Sequence, residues 1–315
     1  MFSASACGKV ILFGEHAVVY GRPAIAVPVS GVRARADVAA APAGAGVRIV
    51  AADLGRAVAL AEADADDALA LIVRQTLRRL SCRLDSDLTI TVRSELPMAR
   101  GLGSGAAVSA AIVRALAAWA GRPLDAETVS ALVFEAERIY HGTPGGVDNT
   151  VIAYEQPVYF VKGRPPQVIA VGRPLTLLVG DTGIASSTRQ AVEEVRRAWQ
   201  AAPQRYEALF DQCGRIADAG RQALEAGDRP RLGALMVENQ TALREIGVSS
   251  PELERLIEAA LGAGALGAKL CGAGRGGNMI ALVQEEMAGA VEAALRRAGA
   301  AGVITTRVAE RTGQP

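Results

Sequence analysis

Paired cysteines are missing from this chain. Its four cysteines, Cys7, Cys82, Cys213 and Cys271, are scattered and none forms a CxxC pair, which argues against a disulfide framework or a cysteine zinc site and for reduced thiols. Aromatic residues are only 4% of the chain, whereas glycine occurs 34 times, a balance that favours tightly packed small-residue helices and glycine-rich turns. No uncharged apolar stretch is long enough to span a bilayer. The opening Met1-Phe2-Ser3-Ala4 runs straight into a strand-like pattern without a charged n-region or a long apolar h-region, so a soluble, cytoplasmic protein with no membrane partner is expected. Net charge is nearly absent as well: 34 Lys and Arg face 33 Asp and Glu, which gives no electrostatic reason to expect nucleic acid. The basic pairs Arg78–Arg79 and Arg196–Arg197 lie in helical patterns and read as solvated helix faces. No G-x-x-x-x-G-K-[ST] occurs, which excludes a P-loop kinase.

What is present is a long, core-forming chain. With 315 residues, half of them hydrophobic, it exceeds what one compact core usually holds, and two lobes are expected. We place their division in the turn cluster Lys162-Gly163-Arg164-Pro165-Pro166, giving residues 1–165 and 166–315. Strand patterns fall at Lys9–Phe13, Ala24–Val29, Val32–Ala39, Val47–Ala51, Leu88–Val92, around Val151–Val161, and at Leu175–Asp181, Asn278–Val283 and Val303–Val308. Helical spacing covers Asp66–Leu80, Ala106–Trp119, Asp125–Tyr140 and Glu285–Ala298. It also fills most of Thr188–Leu261, with breaks at Pro203, Asp228–Pro230 and Ser249–Pro251.

Four turns carry candidate chemistry. In Pro97-Met98-Ala99-Arg100-Gly101-Leu102-Gly103-Ser104-Gly105-Ala106, between a strand and a helix, successive glycines let backbone N–H groups point into one concavity, and the helix start adds unpaired donors. That suits a phosphate, with the Ser104 hydroxyl beside it for phosphate or metal. The run also fits G-x-G-x-x-A, but a dinucleotide fold wants an acidic residue about 20 positions on at a strand end, and Asp125 instead opens a helix. Taken alone, it is equally a turn that packs a helix on a sheet. In Gly8-Lys9-Val10-Ile11-Leu12-Phe13-Gly14-Glu15-His16, Lys9 heads an apolar run, which sets its ammonium at a strand end, and Glu15 and His16 follow a glycine kink. Each alone reads as a snorkelling lysine or a satisfied core histidine; together on one turn they point to a site. In Glu137-Arg138-Ile139-Tyr140-His141-Gly142-Thr143-Pro144-Gly145-Gly146-Val147-Asp148-Asn149, one carboxylate suits Mg²⁺ and the other a substrate hydroxyl, or else they are a solvent-facing Glu137 and a capping Asp148. The last run, Lys269 to Asn278, is rich in glycine and stands far along the chain from the other three.

These segments, taken in chain order from about Lys9 to Gly277, resemble the motif set of the GHMP kinases, and the one from Gly8 to Gly21 is similar to the mevalonate kinase version. So are His141-Gly-x-Pro-x-Gly-x-Asp-Asn, ending at Asn149, and Asp181 to Arg189. The resemblance implies a two-lobed α/β (α+β) fold, with an N-terminal lobe like ribosomal protein S5 domain 2 and a ferredoxin-like C-terminal lobe. It implies ATP and Mg²⁺ as cofactors and mevalonate as substrate, with phosphomevalonate kinase or a non-catalytic ligand-binding relative as alternatives and a homodimer as one option by analogy. Asp148 would meet the hydroxyl to be phosphorylated, and Lys9 would lie near it and stabilise the transferring charge. Glu137 would bind Mg²⁺. Pro97 and Arg100 to Ala106 would wrap the nucleotide phosphates, Glu15 and His16 would line the mevalonate pocket, and Thr188 would sit near phosphates or substrate. The chain departs from that pattern at Gly105, where a second Ser is usual: either Ser104 takes its place at the metal, or Mg²⁺ uses Glu137, phosphates and water. Gly145 also replaces a usual Ser, and Arg275 and Asn278 replace a usual Gly and Cys; Arg275 either reaches a phosphate or faces solvent.

Overall fold

Strands form where β-branched residues alternate, and helices form where apolar residues recur every three to four positions. The structure, a computed structural model, describes residues 1–97, 101–141 and 145–309, the side chains of Tyr140 and His141 excepted. It divides into two compact units: Met1–Gly8, Val32–Met98 and Gly103–Glu155 form the first, and Lys9–Gly31, Ala99–Leu102 and Gln156–Pro315 the second.

The first unit holds strands β3 (Val47–Ala51), β4 (Arg56–Ala59) and β5 (Leu88–Ser94) with the later part of β2 (Ala24–Ala40), in the order β4-β3-β5-β2. β3 runs parallel to β5, and the β3–β4 and β2–β5 pairs are antiparallel. Helices α1 (Ala68–Arg79), α2 (Ser104–Trp119), α3 (Ala126–His141) and α4 (Val147–Tyr154) pack on one another, and α2 lies against β5. α1 starts where Asp67 accepts from Ala70 N–H at 2.9 Å, buries Ile72, Val73 and Leu77, and ends on Arg78 and Arg79, whose charge complements the helix dipole. α2 is mostly Ala, Val and Leu, so nearly its whole circumference packs without long side chains.

In the second unit, β8 (Leu175–Asp181), β9 (Gly267–Cys271), β10 (Asn278–Val283) and β11 (Gly302–Val308) form an antiparallel sheet in the order β11-β8-β10-β9. Between β8 and β9 come α5 (Thr188–Ala201), α6 (Pro203–Ala226), α7 (Arg229–Ile246) and α8 (Pro251–Gly262), and α9 (Ala288–Arg297) joins β10 to β11. This β-α-β-β-α-β order, with its first and third strands central, is the ferredoxin-like arrangement that the family resemblance implied. The helix breaks fall at Pro203, Asp228–Pro230 and Ser249–Pro251 as expected, because proline takes the first helical turn in each and Asp228 or Ser250 caps the second and third. The remaining strands β6 (Val158–Phe160) and β7 (Gln167–Val168) pair with each other, and β6 with the early part of β2.

Three expectations change. The strand around Val151–Val161 is instead the end of α4 followed by β6. Its β-branched run suited either state, but Thr150 Oγ1 donates to Gly146 O at 2.7 Å and Asn149 Nδ2 donates to Ser130 Oγ at 2.8 Å, holding the segment helical against α3. Ala24–Val29 and Val32–Ala39 are one strand, β2, continuing through Ser30 and Gly31. Lys9 is not at a strand end: β1 spans Phe2–Phe13, and Lys9 lies inside it, 3% exposed.

Candidate active site

The second unit brings the first and last motif turns in the chain together. Gly14 takes φ 93°, and a Cβ there would lie 2.4 Å from Pro23 O, so only glycine allows the chain to leave β1 this sharply. Glu15 and His16 then form a γ-turn: Ala17 N–H donates to Glu15 O at 2.6 Å, with His16 at φ 57° and ψ −47°. That is a conformation L-residues rarely hold. Below the turn, the fully buried Glu15 carboxylate is ion-paired through Oε1 to the equally buried Lys269 ammonium in β9. Lys269 Nζ also donates to Leu270 O at 2.7 Å. Above it, His16 Nε2–H donates to Ala273 O at 2.9 Å, which leaves Nδ1 of the neutral ring as an acceptor. Ile11 N–H donates to Cys271 Sγ at 3.2 Å. The late glycine run, remote in sequence, thus closes over the first motif.

Electrostatics follow from this burial. Desolvation raises the Glu15 carboxyl above the usual range despite the pull of Lys269 and, more weakly, Lys9. Desolvation also pushes the Cys271 thiol up to about 11 and the Cys213 thiol up to about 12, so both stay protonated and unreactive. His16 is lowered, first by burial and further by Arg275, against the opposing bond to Ala273 O. The unfolded chain therefore takes up a proton below pH ~6.5 that the native protein refuses, and stability falls as pH drops through that range. Glu15, raised in the fold, contributes with the opposite sign. Comparison with His16→Gln isolates the histidine: between pH 7.5 and 5.5 the wild type should lose about 1 kcal/mol more than the variant in urea unfolding. Parallel pH profiles would contradict a buried neutral His16.

Arg275 does not stand ready for a phosphate. It takes φ 59°, which explains the family's preference for glycine there, and its guanidinium pairs with Glu194 of α5 and donates to Gly247 O at 3.3 Å. Thr188, the first residue of α5, is exposed. In the same unit Lys9 N–H donates to Leu102 O at 3.0 Å, which ties β1 to the end of the glycine-rich turn.

The first unit carries the other candidates. Gly103 is left-handed at φ 73° and no side chain caps α2, so the N–H groups that open the helix at Ser104, Gly105 and Ala106 suit an anion. Gly101, which belongs to the second unit, takes φ 78°, and Pro97 of the first unit is half-buried. Glu137 is 3% exposed on α3, and Asp148 lies in the first turn of α4 on the neighbouring helix. Among the described residues no three His, Cys, Asp or Glu side chains cluster as a self-sufficient metal cage. A buried carboxylate such as that of Glu137 is of a type that suits Mg²⁺, which is commonly held by one or two carboxylates together with substrate phosphates. Arg100 lies outside the described residues, as do Gly142, Thr143 and Pro144 of the third motif. Sequence reasoning gave Lys269 no role, although a lysine inside the apolar strand Gly267–Cys271 signals a buried partner.

Residues 69–156 match the GHMP kinases N terminal domain, and residues 221–301 match the GHMP kinases C terminal family. With the two sheets described above, these matches define the class as a GHMP kinase, and ATP as its phosphoryl donor. A mevalonate kinase of Thermococcus sibiricus is 35% identical, over 96% of this chain and 95% of its own length. One of Aeropyrum pernix is 37% identical, over 90% and 88%. The crystal structure of L. major mevalonate kinase in complex with R-mevalonate superposes with a TM-score of 0.85 at 31% identity, covering 99% of this chain and 97% of that one. The chain belongs to the mevalonate kinase family. Among the described residues no helix is long and apolar enough to cross a membrane.

Proposed function

We propose that this protein transfers the γ-phosphoryl group of ATP to the 5-hydroxyl of mevalonate, giving 5-phosphomevalonate and ADP in isoprenoid precursor synthesis. The observation that carries this reading is the full-length likeness to a mevalonate kinase whose crystal structure holds R-mevalonate. Phosphoryl transfer asks for in-line placement and charge neutralisation more than for covalent help. Asp148 accepts the hydrogen of the attacking hydroxyl and orients its oxygen. The Lys9 ammonium neutralises charge on the transferring group, and its burial supports this, since a desolvated cation acts more strongly than a hydrated one. Backbone donors from Gly101 to Ala106, with Pro97 and Arg100 at the entry, hold the nucleotide phosphates. Thr188 serves phosphates or substrate, and the Glu15–His16 turn receives mevalonate. Glu137, with Ser104, would hold Mg²⁺, which when bound supplies neutralising charge to the phosphates. Cytoplasmic residence and a homodimer belong to the same proposal.

A substrate panel coupled to ADP release tests the assignment. Turnover with mevalonate and little with phosphomevalonate, homoserine or galactose is the expected result. Turnover with one of the others alone would move the protein within its superfamily, and tight mevalonate binding without ADP would make it a ligand-binding relative. Glu137→Gln should raise the Mg²⁺ concentration for half-maximal rate by about tenfold or more, as loss of a supporting carboxylate does elsewhere. An unchanged Mg²⁺ titration would remove Glu137 from the metal site.

A further inference from the structure

A buried ion pair gives weak evidence of stability, because desolvating two charges offsets most of their attraction. The Glu15–Lys269 pair joins residues 254 positions apart. Both side chains are 0% exposed, and Glu15 Oε2 has no hydrogen-bond partner among the described residues. The pair is therefore costly, and something other than stability must account for it. What it holds is the γ-turn. A turn with His16 at φ 57° persists only where its surroundings over-determine it, and here two anchors do so: Lys269 from β9 on Glu15, and Ala273 O from the loop after β9 on His16. β9 itself is fixed on its outer edge, where Leu270 N–H donates to Gln240 Oε1 at 2.9 Å. Glu15, with no exposed surface, acts through the turn rather than by contact.

We propose that Lys269 is a positioning residue for the alcohol substrate: through Glu15 it keeps His16 in the strained turn with Nδ1 presented as a hydrogen-bond acceptor, and so sets substrate affinity without touching substrate. The substrate named here rests on the mevalonate reading above; the geometry of the turn does not.

Lys269→Met, Lys269→Arg and the double variant Glu15→Gln/Lys269→Met test this in two independent ways. The double variant removes both charges, so it leaves no lone buried ion and folds even if Lys269→Met alone does not. In each Met variant KM for mevalonate should rise about tenfold, the scale of one lost hydrogen bond, while kcat and KM for ATP stay within about twofold. Lys269→Arg should recover part of that loss. The second readout needs no substrate. The chain has two histidines, His16 and His141, so a ring NMR titration with a His141→Gln control isolates His16. Its signal should leave the neutral, Nε2-protonated form in the Met variants and titrate near the ordinary value of ~6.5. A wild-type KM for substrate in the double variant, or a kcat loss without a KM change, overturns the proposal whatever the ring signal does. If the wild type turns over a different alcohol, the mevalonate reading fails while the same KM and ring measurements, made with that alcohol, still decide the role of Lys269.

Discussion

Asp148→Asn leaves a folded protein whose kcat for mevalonate falls by about 10³-fold, within the range a positioned general base contributes. Folding survives because Asp148 stands in the first turn of α4, a position that the isosteric asparagine also fills. α4 is held by other groups. Arg114 donates to the carbonyl oxygens of Ile152 at 3.3 Å and Ala153 at 2.8 Å at its far end, and the Asn149–Ser130 bond fixes its start. Asparagine keeps the shape and can still align a hydroxyl, but it takes up no proton. The expected signature is therefore a collapse of kcat, with KM for ATP and melting temperature close to wild type. Near-normal turnover would exclude Asp148 as the group that meets the hydroxyl.

Lys9→Met is expected to cost activity far more than it costs folding. Lys9 is 3% exposed inside β1, and methionine is a comparable unbranched side chain that needs no solvation. The backbone bond from Lys9 N–H to Leu102 O does not depend on the side chain. Methionine fills a similar volume with an unbranched apolar chain, so the variant should stay folded at the assay temperature. The rate of phosphoryl transfer should nevertheless fall by about 10²–10³-fold, as when one preorganised electrostatic stabiliser is removed from an active site. Thermal unfolding and single-turnover kinetics on the same preparation decide the matter. A fall in melting temperature that tracks the loss of rate would make Lys9 structural.

How much of this was legible beforehand depended on how local each determinant is. The helix breaks at Pro203, Asp228–Pro230 and Ser249–Pro251 were legible because proline and a capping side chain act within one turn. β8 and β10 were legible because their apolar runs are bounded by turn residues. α4 was misread because Val151 and Ile152 suit a strand equally well, and only the contacts of Asn149 and Thr150 with neighbouring residues make the segment helical. The motifs themselves stood out as residue types in order, yet their electrostatic setting did not. That Lys9 is buried within a strand, that Arg275 is tied to Glu194, and that Lys269 pairs with Glu15 all depend on contacts that no window of sequence contains.

The most direct test of the central claim is the phosphorus NMR spectrum of the product formed from ATP, Mg²⁺ and R-mevalonate. Transfer to the primary 5-hydroxyl predicts a new phosphomonoester signal, split by the two protons of the adjacent methylene and growing in step with ADP. No new ester, or an unsplit one from the tertiary 3-hydroxyl, would contradict the account.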